Sequence, residues 1–267
     1  MVVMVAPNGA RKTRDDHAAI PLTATELADT AESVLESGAS ALHLHVRDAD
    51  ARHRLDPGRY REALDAIRQR VGDRLLLQVT TEAVGIYSPT EQIEVVRELV
   101  PEAVSLSVRE LAAAGDNVIA EFDRWMRDTA VLPQWILYSV EELAVLDDWI
   151  RKDVLSGSAY PVLFVLGTYH PRQDASPEML VPFLDRVGSH DWMACAFGPA
   201  EGSIMQTVAD RGGHARIGFE NNLVDSKGEL APDNASLVRP LVAYLGKTGK
   251  RSAATAAQAR EILTPHW

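Results

Sequence analysis

Ala41-Leu42-His43-Leu44-His45-Val46-Arg47-Asp48 is an apolar run with the alternation of a β-strand, and it carries two histidines one residue apart. Side chains alternate faces along a strand, so His43 and His45 point the same way with Cα atoms roughly 6–7 Å apart. Both imidazoles can then reach one metal ion at about 2.0–2.1 Å. The same spacing also fits two polar residues on a half-polar sheet face, each hydrogen-bonded to a neighbour, and spacing alone does not choose between the two.

Outward from this run, short apolar strands alternate with capped helices. The first strand is expected over 2–6. A helix follows from Thr23, with Glu26 three residues on as a capping box and Gly38 as its stop. Beyond the histidine strand, Asp56-Pro57 opens a helix that ends near Gly72. Further strands are expected over 75–79, 103–106, 135–138, 162–166, 192–197 and 215–219. Helices are expected from Ser88-Pro89, over 118–126, from Ser139, over 176–187, over 203–210 and over 234–245. The segment 253–263 reads as an additional terminal helix. Eight strand–helix pairs in 267 residues predict a (β/α)8 TIM barrel. A doubly wound open sheet has fewer pairs and a glycine-rich phosphate turn after its first strand, which Pro7-Asn8-Gly9-Ala10 does not match. Residues 1–267 are expected to form one domain.

Bulk properties narrow the partners. At 46% hydrophobic the chain has material for one large core. A net charge of −11 argues against nucleic acid, which needs a basic face. The lone Cys195 rules out a disulfide framework within the chain and fits a reducing, cytoplasmic setting. No apolar run approaches the ~20 residues that span a bilayer. Met1-Val2-Val3-Met4-Val5-Ala6 lacks a basic leader and is expected to be a strand, not a signal peptide.

Active sites of such barrels lie at the C-terminal ends of the strands. The polar residues expected there are Asn8 and Arg11, His43 and His45, Thr80-Thr81-Glu82, Ser105, Ser107 and Arg109, and Glu220-Asn221-Asn222. Catalytic zinc keeps three protein ligands and an open position, and Glu220 is the expected third ligand. Barrel closure carries the end of the last strand round to the first two. The competing reading of Glu220 is an ion pair with Arg216. Arg47 and Asp48 are expected to position their loop. His17, His53, His190, His214 and His266 are expected to be solvated, while His170, after the sixth strand, stays open as a site residue.

The sequence resembles the β-keto acid cleavage enzymes, the family of 3-keto-5-aminohexanoate cleavage enzyme. The resemblance rests on Pro7-Asn8-Gly9-Ala10, Pro21-Leu22-Thr23, the stretch 38–48, Leu55-Asp56-Pro57-Gly58-Arg59-Tyr60, Thr80-Thr81, Arg216-Ile217-Gly218-Phe219-Glu220-Asn221-Asn222-Leu223 and Ala259-Arg260-Glu261-Ile262-Leu263. It implies a Zn2+-dependent reaction, another divalent ion being the alternative, in which a β-keto acid and acetyl-CoA give acetoacetate and a new acyl-CoA. It also implies His43, His45 and Glu220 as ligands and a homotetramer. Two other functions fit the same residues: a CoA-independent metal aldolase or lyase, and a non-catalytic metal-binding descendant.

Two departures shape the expectations. In the amine-handling branch an aspartate after the strand-eight glutamate is the general base, assisted by the arginine four residues before that glutamate. Here Arg216 is present but the base position is Asn221, whose carboxamide accepts no proton at useful pH. Glu82 stands where that branch has small residues, and it is the expected replacement, with Arg216 orienting substrate. The branch also has an acidic residue near the first turn, where this chain reads Arg11-Lys12-Thr13-Arg14. A cationic turn suits a distal carboxylate, which Arg pairs bidentately, or a neutral substrate with oxygen acceptors; a basic loop that meets CoA phosphates or solvent fits it equally well. Asn8, Arg11, Thr81, Ser107 and Arg109 are the expected substrate contacts.

Overall fold

The computed structural model describes residues 1–169 and 171–267. Eight parallel strands close into a barrel: β1 (Val3–Val5), β2 (Ala41–Leu44), β3 (Leu76–Thr80), β4 (Ala103–Ser107), β5 (Leu132–Leu137), β6 (Val162–Leu166), β7 (Trp192–Ala196) and β8 (His214–Ile217). Closure pairs β1 with β8, Met4 opposite Arg216, and β1 with β2, Met4 opposite Ala41. Closure excludes the open-sheet alternative. The ends of β8 and β2 are thereby brought to either side of β1, as the reading of Glu220 requires.

Period-two alternation turns every second residue inward, and these inward positions are layered. Near the N-terminal end they are apolar: Met4, Ala41, Leu76, Ala103, Leu163 and Met193 form one buried cluster. Two residues further along, three neighbouring strands offer His43, Gln78 and Ser105, all buried. A dry floor thus lies beneath a polar mouth. The terminal helix Ala256–Ile262 closes the floor, with Ala259 and Leu263 joining the apolar cluster. Arg260 ties it down, its Nη1 and Nη2 donating to the Asp73 and Leu75 carbonyls at 3.1 and 3.3 Å.

The helices start where their caps stand. Thr23 and Ser88 make full capping boxes with Glu26 and Glu91, and Asp56 caps the helix begun by Pro57. Each such cap contributes about 1 kcal/mol. No helix among the described residues is long and apolar enough to cross a membrane.

Three elements differ from expectation. The histidine run is not one strand: β2 ends at Leu44, and Val46–Arg47 pairs antiparallel with His53–Arg54. The cause is Asn8, whose Oδ1 accepts from the His45 N–H at 3.3 Å and whose Nδ2 donates to the His45 carbonyl at 2.9 Å. The helix expected over 176–187 is only a 3-10 turn, Pro177–Leu180, and one α turn, Val181–Leu184. Pro182 there supplies no N–H for the helix to continue. A short helix, Val108–Leu111, also leads out of β4.

Candidate active site

His43, His45 and Glu220 meet in the mouth, buried, with one ligand atom from each lying within 4.8 Å of the others. The two Nε2 atoms are 3.2 Å apart, and Glu220 Oε2 stands 3.7 Å from His43 Nε2 and 3.4 Å from His45 Nε2. On the far side of its ring, His43 Nδ1–H donates to Gln78 Oε1 at 2.8 Å, and Gln78 Nε2 donates to Gln134 Oε1 at 3.0 Å. That tautomer leaves the His43 Nε2 lone pair facing the cluster. Burial pushes the His43 imidazole down to about 4 and that of His45 to about 3, so both are neutral, as metal ligands must be.

Glu220 is both the expected ligand and the partner of Arg216, because its two oxygens are divided. Arg216 Nη2 donates to Oε1 at 3.1 Å, whereas Oε2 is buried with no hydrogen bond from the described residues. Burial opposes its charge, but Arg216 above all outweighs that and holds the carboxyl well below its usual range. An anionic, unpartnered oxygen facing two neutral imidazole nitrogens is a donor set that fits a divalent cation. The turn after β1 packs against Glu220 and demands glycine: Gly9 has φ +63°, and a Cβ there would lie 2.6 Å from Glu220 Cγ.

Other polar groups surround this cluster. Glu82 Oε2 lies 3.9 Å from His45 Nδ1, with 23% of its side-chain surface open. Burial first, then the charges of Glu220 and Glu110, push its carboxyl up to about 7. Ser105 Oγ, Ser107 Oγ, Arg216 Nε and both side-chain polar atoms of Asn221 are buried without partners among the described residues. Arg11 and Arg109 are exposed, the latter with its guanidinium carbon 3.3 Å from the Tyr138 ring centroid. Thr81 and Asn8 are committed to the backbone, Thr81 Oγ1 donating to the Ser105 carbonyl at 3.0 Å and Asn8 bracing His45. Arg47 braces the loop as expected, donating to the carbonyls of Gly9, Lys12 and Ala51.

Three histidines expected in solvent are buried. The His53 ring is tilted against that of His45, centroids 5.1 Å apart, and bonds the Glu82 carbonyl at 3.0 Å. His190 sits against Tyr160 and Asp147, and His214 Nδ1 accepts from the Val2 N–H at 2.9 Å. His17 packs on Phe219, and His266 is exposed near Asp191. His170 lies outside the described residues. Lys12 and Tyr169 were not singled out by sequence reasoning, yet both reach the site. Lys12 Nζ donates to the Glu220 carbonyl at 2.6 Å and to Tyr169 Oη at 3.1 Å, and Tyr169 donates to that same carbonyl. Burial lowers Lys12 to about 8. The only signal for Lys12 was its place in a turn already rich in cations.

Fold and site together define a (β/α)8 barrel with a candidate two-histidine, one-carboxylate metal centre at its C-terminal mouth. Residues 1–264 match the model of the beta-keto acid cleavage enzyme family, and the chain belongs to that family. It is 31% identical over 274 residues to a 3-keto-5-aminohexanoate cleavage enzyme of Fusobacterium nucleatum, covering 99% of this chain and 97% of that one. It is 27% identical to a 3-oxoadipate:acetyl-CoA acetyltransferase of Cupriavidus necator, covering 98% and 94%. Among solved structures, apo ObcA superposes with a TM-score of 0.69 at 16% identity, over 93% of this chain and 66% of that one, a likeness of fold.

Proposed function

We propose that the protein is a zinc-dependent acyltransferase that exchanges parts between a β-keto acid and acetyl-CoA, releasing acetoacetate and a new acyl-CoA. The observation that carries this reading is the buried trio His43, His45 and Glu220, with one unpartnered carboxylate oxygen, in a member of this family. His43, His45 and Glu220 would hold the divalent ion, which would supply Lewis acidity toward substrate oxygens.

The chain's own residues do the rest. Asn221 accepts no proton, so the base is Glu82, whose raised carboxyl is matched to neutral pH. It takes the proton from the carbon between the two carbonyl groups. Arg216, anchored on Glu220 Oε1, orients the substrate and keeps Glu220 ionised. Ser107 Oγ, buried and unpartnered, offers a hydrogen bond to a substrate oxygen. Arg11 and Arg109 select a substrate with a distal carboxylate, whereas Asn8 and Thr81 shape the mouth by holding its backbone. The expected setting is the cytoplasm and the expected assembly a homotetramer.

The test is a panel of amino-, carboxy- and alkyl-substituted β-keto acids incubated with acetyl-CoA and zinc-loaded protein, following acetoacetate. Acetoacetate formation that requires acetyl-CoA, greatest with the carboxy substrate, is the expected result. Cleavage without acetyl-CoA returns the aldolase reading, and a preference for the amine defeats the role of Arg11.

A further inference from the structure

We propose that Glu201 and Asn234 are positioning residues that together pin the turn after β8 and so set the reach of the Glu220 carboxylate toward His43 and His45. The proposal rests on the reading of Glu220 as a metal ligand given above.

The turn breaks the pairing of β8 with β1. Ala6 N–H donates to the Ile217 carbonyl at 2.9 Å, and a regular parallel ladder would then offer the Ala6 carbonyl to the N–H two residues on, at Phe219. It accepts instead from Glu220 N–H, at 3.0 Å. One extra residue has been taken up, which makes the turn a bulge, a device that re-aims a side chain. The side chain re-aimed is that of Glu220. Its path is crowded: Gly218 has φ +138°, and a Cβ there would lie 2.6 Å from the Ala6 oxygen and 2.9 Å from Asn234 Oδ1.

Two N–H groups are thereby left to other partners, and two buried side chains take them. Glu201 Oε1 accepts from Gly218 N–H at 3.1 Å, and Asn234 Oδ1 accepts from Phe219 N–H at 2.9 Å. Each acceptor is the first residue of a helix, Glu201–Asp210 and Asn234–Thr248, and both are buried, at 0% and 2% exposed. A glutamate is almost never buried completely unless it is paired. A favourable charge at a helix start does not account for Glu201, because its oxygens bond residues of the turn: Asn222 Nδ2 donates to Oε2 at 3.4 Å. Asn234 also ties the turn to the end of β1, its Nδ2 donating to the Pro7 carbonyl at 3.2 Å. The backbone of Glu220 is thus fixed by the two N–H groups before it and by its own bond to Ala6. That fixed backbone brings Oε2 to 3.7 and 3.4 Å from the two imidazole nitrogens.

Two readouts test the assignment: zinc affinity by chelator competition, and hydrogen exchange of the segment 215–223 in the metal-free protein by mass spectrometry. Circular dichroism checks that each variant is folded. Glu201→Met keeps the volume but removes the acceptor, and Asn234→Ala removes the other. Each is expected to weaken zinc about tenfold or more and to speed exchange in that segment. Glu201→Gln keeps an acceptor for Gly218 N–H and is expected to hold zinc within threefold of wild type. Asp233→Ala removes the cap at Ser236 N–H from the same helix as Asn234 without touching the turn, and is expected to leave both readouts unmoved. A merely structural loss would move it too. The Asn234→Ala and Asp233→Ala pair decides the matter even where Glu201→Met does not fold. Zinc affinity within threefold of wild type in folded Glu201→Met or Asn234→Ala overturns the proposal and leaves the metal reading standing. So does an equal loss in Asp233→Ala, or a Glu201→Gln as weak as Glu201→Met. A wild type that takes up no zinc sinks the metal reading. Exchange then decides alone: faster in the two variants, it leaves the pinned turn standing, and unaltered, it overturns that as well.

Discussion

Replacing Gln78 by Leu removes the brace behind one proposed metal ligand, His43, while leaving that imidazole itself in place. Gln78 Oε1 is the 2.8 Å acceptor for His43 Nδ1–H, in a residue 1% exposed. Without it the His43 proton is free to move to Nε2, which then has no lone pair for a cation. Loss of such an outer partner typically costs 10–100-fold in metal affinity, or about 1.4–2.8 kcal/mol at 1.4 kcal/mol per tenfold. A second loss falls on stability. Gln78 Nε2 also satisfies Gln134 Oε1 at 3.0 Å, so the substitution orphans that oxygen at about 1–3 kcal/mol. Competition with a chromophoric chelator reads the first effect, and urea unfolding of the metal-free protein reads the second. Gln78→Glu retains the acceptor and is expected to keep wild-type metal affinity. A Gln78→Leu protein whose zinc affinity stays within threefold of wild type refutes the idea that this hydrogen bond sets the His43 tautomer.

Other expectations follow from the same geometry. Glu82→Gln lowers kcat by about 10²–10⁴ with zinc content unchanged, and steady-state kinetics showing a loss below about threefold removes its role as base. Gly9→Ala forces a Cβ to within 2.6 Å of Glu220 Cγ at a positive φ, so zinc affinity should fall at least tenfold in a chelator assay. An unchanged affinity would mean that the turn relaxes freely. Stability should fall in acid through His214, which burial, Arg251 and the N-terminal amine together depress to about 3 from an ordinary 6.5. Above 6.5 it is neutral folded or unfolded. Below 6.5 the unfolded chain binds a proton that the fold refuses, so stability drops by up to about 1.4 kcal/mol per pH unit until about pH 3. His214→Gln, which keeps an acceptor for the Val2 N–H, should flatten that slope in urea titrations between pH 6 and 4, and an unaltered slope assigns it elsewhere.

The barrel was legible because each strand's period-two alternation and each helix's cap lie within a few neighbouring residues. Thr23 with Glu26 and Ser88 with Glu91 are where local signals placed them. The meeting of His43, His45 and Glu220 was legible for a topological reason: once eight pairs close, the end of β8 must stand near β2, across β1. What escaped depends on contacts distant in sequence. That the strand stops at Leu44 is decided by Asn8, 37 residues away from His45, taking over its backbone groups. His53, His190 and His214 lie in polar surroundings in sequence, and only the packed chain shows the Glu82 carbonyl, Asp147 and the Val2 amide that satisfy them. Lys12 escaped because a turn cation reads as solvated until the Glu220 carbonyl and Tyr169 are seen to claim it.

The most direct measurement is the zinc stoichiometry of the purified protein by elemental mass spectrometry after extensive dialysis, in wild type and in Glu220→Ala. The account predicts one ion per wild-type chain and nearly none in the variant, whose unfolded fraction is checked by circular dichroism. A wild type that retains no divalent ion, or a folded Glu220→Ala that keeps its full equivalent, contradicts the shared grip of His43, His45 and Glu220.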